Sequence, residues 1–208
     1  MKVEGKLKYI LAVAILCGIG VVFCGVLWVY AQHVTKENQI FENIQVVFLL
    51  FGFSLFFYSF IRSTPGSYGI LFVGLSLLYL SFGVRELELE EAQTWIAVLT
   101  NPPVRNYWLA AAWAGSVILF FRNMKKTFGS FLVWIKGSQG VFLIVGGIFY
   151  LVADLFDKKM FPMRFEEHML VEESLELYAT IFMAASAVSS LVWARKQAWW
   201  GGAKRAFR

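Results

Sequence analysis

Six apolar stretches, each close to the length of a membrane crossing, leave this chain few ways to fold. They lie near residues 9–31, 44–61, 67–84, 106–121, 139–156 and 175–192. A hydrocarbon core takes ~17–25 helical residues to cross, and inside lipid every backbone N–H and C=O must be paired within the chain. Helices meet that demand locally. The expected fold is therefore all-α: a polytopic transmembrane bundle of six helices, a single integral membrane domain over 1–208. The third and fourth stretches are short and are expected to extend into the flanking polar residues. With 59% hydrophobic and 16% charged residues, the chain carries more apolar surface than a soluble domain of this length could cover.

Lysine and arginine set the orientation, because cytoplasmic loops carry the excess of positive charge. With both termini cytoplasmic, thirteen basic residues lie inside, including Arg62, Arg122, Lys125, Lys126, Lys136 and Arg195, and six lie outside. The first stretch reads as a retained span, since its apolar core exceeds the ~7–15 residues of a signal peptide. The net charge of +5 then suits anionic lipid headgroups and gives no reason to expect nucleic acid as a partner. Between the fourth and fifth spans, lysines mix with Phe128, Phe131, Leu132, Trp134 and Ile135, a pattern that predicts a short interfacial helix. Small residues of the fifth and sixth spans, Gly146, Gly147, Ala184, Ala185, Ser186, Ala187, Ser189 and Ser190, predict close packing of these two spans with each other or against the third.

Under this topology thirteen of the fourteen acidic residues share the outer side, and only Glu4 lies opposite. Most suit a solvated surface. Glu86, Asp154, Glu173 and Glu176 differ, because each sits where an apolar helix begins or ends. Ionised acids at such depth face protein or water. Converging carboxylates must recruit a metal, recruit Arg or Lys, or share protons. The expected site is thus an outward-facing carboxylate cluster of Glu86, Asp154, Glu173 and Glu176, with Glu90 and His168 in support. Its expected occupant is a divalent cation, for which oxygen-rich ligand sets are suited. Arg85, Arg105, Arg164, Lys158 and Lys159 stand on the same side and could neutralise part of it. The competing expectation is a non-catalytic accessory subunit of a larger membrane complex, docking partner subunits through its acidic face and the small-residue surface of the sixth span.

Several chemistries are excluded. The two histidines, His33 and His168, lie outside the spans, so neither a bis-histidine transmembrane haem nor a tri-histidine zinc site has its ligands. No CxxC pair, phosphate loop or nucleophile elbow is present.

Arg85-Glu86-Leu87-Glu88-Leu89-Glu90, then Asp154, then Glu172-Glu173-Ser174-Leu175-Glu176 resembles a loose group of uncharacterised bacterial six-span inner-membrane proteins. Those carry an Arg-Glu-x-Asp-x-His pattern and a Glu-Glu-x-Leu-Glu pattern. Here Glu88 replaces the expected Asp and Glu90 the expected His, which exchanges a nitrogen ligand for oxygen. The resemblance covers about a dozen residues beyond the six-span layout. It implies a bacterial inner membrane and carries no activity with it.

Overall fold

Apolar runs that must pair their own backbone in lipid become helices, and every regular element described is one. The computed structural model describes residues 38–62, 67–86, 101–158, 160 and 165–206. The helices are α1 (Asn38–Arg62), α2 (Ser67–Glu86), α3 (Pro102–Arg122), α4 (Met124–Ile135), α5 (Ser138–Asp157) and α6 (Phe165–Ala206). The expected first span, the turn at Pro65-Gly66, and Glu88, Glu90 and Glu91 lie outside the described residues.

Four of these helices are long and apolar enough to cross a membrane: Phe41–Arg62, Tyr68–Glu86, Ser138–Asp157 and Val171–Arg195. They coincide with the second, third, fifth and sixth expected spans. The expected fourth span falls in α3, which has 21 residues but is not among the four. Its Pro-Pro-Val-Arg-Asn-Tyr-Trp opening dilutes the apolar content, and the continuous apolar run begins only at Leu109. The described residues thus hold four candidate crossings.

The core is apolar, but polar side chains are buried with it and large apolar ones face outward. Gln45, Thr127, Gln139, Thr180, Ser186 and Ser190 are buried, while Val47, Ile118 and Leu151 are 65%, 59% and 70% exposed. Helix α4 shows this on a small scale. Its Thr127, Ser130 and Trp134 turn inward, and Phe128, Leu132 and Val133 turn outward. Hydroxyls on helix flanks are paired on their own backbone: Ser54 Oγ donates to Leu50 O, Ser59 Oγ to Leu55 O and Ser81 Oγ to Leu77 O. This is the side-chain pattern a lipid environment demands.

Helix α5 packs on α6, and α1 packs on both α2 and α6. Small residues make the first contact possible. Gly146 lies against the Ala179 carbonyl and Met183 of α6, Ser186 Oγ donates to Gln139 O at 2.7 Å, and the Ser138 and Ser189 hydroxyls pair at 2.7 Å. The small-residue face of α6 is therefore largely used inside the chain: Ala184, Ser186, Ala187 and Ser190 are all buried. That removes one of the two surfaces on which the accessory-subunit expectation relied. Gly52 of α1 likewise lies under the Tyr79 ring, whose hydroxyl donates to Met183 O at 2.6 Å, linking α2 to α6.

Helices α1 and α2, α2 and α3, and α5 and α6 run antiparallel, as these contacts require. Arg62, Arg122, Lys125, Lys136 and Arg195 fall toward one end of the bundle. The C-termini of α2 and α5 and the acidic N-terminal part of α6 meet at the other. The separation of basic from acidic charge read from sequence is thus present in the fold.

Candidate functional site: an acidic cavity between α2, α5 and α6

At the acidic end, α2 finishes in Arg85-Glu86. A cation in the last turn faces the negative pole of the helix dipole, and Arg105 Nη1 reaches from α3 to donate to Val84 O at 3.3 Å. Helix α6 begins at Phe165, roughly two turns before Glu172. The helix dipole fades within the first turn, so it cannot account for Glu172 or Glu173. Glu173 and Glu176 share a face at three-residue spacing, and α2 and α1 meet that face.

The guanidinium of Arg85 is the centre of the arrangement. Its Nη2 lies 2.7 Å from Glu86 Oε1 and 3.0 Å from Glu176 Oε1, and the two carboxylate side chains are only 10% and 14% exposed. Below it the rings of Phe82 and Tyr150 stack with centroids 4.7 Å apart, and the cation sits over both, at 5.7 and 5.6 Å. Glu173 is held differently: Gln45 Nε2, from the fully buried amide of α1, donates to its Oε2 at 3.1 Å.

These groups line a cavity of about 960 Å³. Glu86, Glu172, Glu173 and Glu176 form one acidic wall, with Glu42, Asp154 and Asp157 completing the rim. Leu78, Leu143, Ile144, Ile148, Leu151 and Met183 supply its apolar lining. Arg85 is the only cation among the described residues lining it. Tyr150 is 9% exposed and lines the cavity, yet its hydroxyl has no hydrogen-bond partner among the described residues.

The structure brings together some of the expected site residues and separates others. Glu86 and Glu176 share one guanidinium, and Glu173 stands beside them on α6. Asp154 lines the rim but pairs with Lys158 one turn on. That hydrogen bond raises the Lys158 ammonium above the usual lysine value, and exposed pairs of this kind contribute little to stability. His168 falls within α6, but its side chain, like Glu90, lies outside the described residues. Among the described residues no three Asp, Glu, His or Cys side chains gather as a metal-ligating group. Arg85 stands between two of the expected ligands. Gln45 was missed, although a lone amide in the apolar run of residues 44–61 was its signal.

Arg85→Ala is expected to lower the thermal midpoint of the purified protein, since it strips two mostly buried carboxylates of their partner. The cost is about 1–3 kcal/mol, toward the lower end because the guanidinium is 52% exposed and water screens it. Adding Glu86→Gln and Glu176→Gln should recover most of the loss. A triple variant no more stable than the single one would show that the ion pairs do not matter.

No protein-family model matches this chain, and neither curated proteins nor solved structures show significant similarity to it.

Proposed function

We propose that this chain is an integral membrane protein whose acidic cavity binds a cation, with its basic end in the cytoplasm and the cavity facing outward. One observation carries the reading. Glu86, Glu173 and Glu176, at the margin of apolar helices, converge on a single cavity in which Arg85 is the one counter-charge among the described lining residues. Acids in such a setting are costly unless they face protein partners or water, and a cation relieves their mutual repulsion.

The form of the site favours an organic ammonium over a divalent metal. A metal ion needs carboxylate oxygens at ~2.0–2.6 Å, and between Glu86 and Glu176 that space is held by a guanidinium. A metal would enter only if the half-exposed Arg85 swung aside. The resemblance to bacterial inner-membrane proteins bears on the choice of these residues and adds no activity.

The test is calorimetric titration of the purified protein, in mild detergent, with butylammonium, CaCl2 and MnCl2. Saturable binding of at least one is expected, weakened tenfold or more in Glu173→Gln/Glu176→Gln. Absence of saturable binding by all three would end the cation reading.

A further inference from the structure

The cavity is acidic only at its mouth. Along α5 its wall is Ile144, Ile148 and Leu151, which are 49%, 54% and 70% exposed on the outside of the described bundle. On the other side it reaches Leu78 and Met183, well inside the candidate spans. Between them lies Gly147, an exposed lining residue where an added Cβ would meet nothing within 4 Å. A small hydrated cation uses none of this apolar length. Burying it requires a ligand with an apolar chain, and each buried methylene contributes ~0.8 kcal/mol.

Tyr150 supplies the second, independent indication. Its hydroxyl is buried without a partner among the described residues at the level where the acidic mouth meets the apolar lining. The charges of Glu86, Glu176, Arg85 and Glu173 all bear on it. A buried hydroxyl left unpaired carries a desolvation penalty, and an ammonium N–H donated to its oxygen removes that penalty.

We propose that the cavity binds an amphiphile by its cationic amine head and one apolar chain. The head sits among Glu173, Glu176 and Tyr150, and the chain lies along Ile144, Gly147 and Ile148. This rests on the cation-site reading above and adds the ligand class to it. The amine comes either from a free long-chain amine or from an amine-headed membrane lipid.

The experiment uses the full chain in phosphatidylcholine nanodiscs, with native mass spectrometry counting retained adducts of dodecylammonium and, in parallel, of butylammonium. One dodecylammonium per chain is expected, with at least tenfold weaker retention of butylammonium. Gly147→Leu, which fills the apolar part of the cavity where there is open space, should abolish retention while leaving the thermal midpoint unchanged. Tyr150→Phe should weaken retention roughly two- to tenfold. Competition by 30% phosphatidylethanolamine in the disc would support the proposal with a lipid as the source. Retention unaffected by that lipid would support it with a free amine.

Equal retention of butylammonium, or retention unaltered by Gly147→Leu, would overturn the amphiphile proposal and leave the cation site standing. Calcium or manganese binding without either amine would do the same. Loss of every cation would overturn both. Disulfide cross-linking of Gly147→Cys to Cys17 or Cys24 would also overturn it, by assigning the apolar part of the cavity to the chain's own first apolar stretch.

Discussion

Gly146→Leu is expected to abolish the folded bundle, whereas Gly147→Ala, one residue along, leaves it unchanged. The two glycines face different surroundings. A Cβ at Gly146 would lie 2.9 Å from the Ala179 carbonyl oxygen and 3.1 Å from Met183 Cγ. The first of these atoms belongs to the α6 backbone and cannot rotate away. Even an alanine there must push the helices apart, at about 1–3 kcal/mol, and leucine multiplies the displacement. Packing between helices in lipid comes from dispersion and close approach, and α5 against α6 is the most extensive contact in the bundle. Thermal melting in mild detergent, with size-exclusion profiles, reads the result. A Gly146→Leu protein that melts like the parent would refute this packing.

Trp134→Ala should cost about 3–5 kcal/mol, the second large effect. Trp134 is fully buried, its ring packs beside Phe56 and Phe131, and its Nε1 donates to Ser190 Oγ at 3.0 Å. Truncation opens a cavity and strands a buried hydroxyl at once. Trp134→Phe retains most of the volume and loses the hydrogen bond, so its cost should fall to about 1–3 kcal/mol. Because the indole ties α4 to α6, faster amide exchange in α4 should accompany the alanine variant. Equal melting of the phenylalanine and alanine variants would show that the indole N–H, and not its bulk, sets the cost.

The spans were legible where length alone decides. Residues 44–61, 67–84 and 139–156 match α1, α2 and α5 closely, because apolar runs of that size in lipid have no alternative to helix. The start of α6 was not legible. Its opening turns contain Glu166, Glu167 and His168, which carry no apolar run and look like loop. The fourth expected span is a helix, α3, but its aromatic and small residues leave it less apolar than the four candidate crossings.

In the site, Glu86, Glu173 and Glu176, singled out as acids flanking apolar sequence, line one cavity. Asp154 lines the same cavity, as expected, but its pairing with Lys158 four residues on was a contact that the helical spacing offered and the sequence reading did not use. The neutralising role of Arg85 was foreseen as one possibility among five basic residues. Only the fold singles it out, because that choice depends on which helix ends meet.

The bond between Arg85 and Glu176 spans 91 residues of sequence, and this has a consequence for biosynthesis. When α2 enters the bilayer, Arg85 has Glu86 beside it but Glu176 has not yet been synthesised. Glu173 and Glu176 later emerge near the start of an apolar segment, and their partners, Gln45 and Arg85, already stand on α1 and α2. In a membrane, insertion of α6 would therefore be completed by docking as well as by hydrophobicity, with the earlier helices as its template.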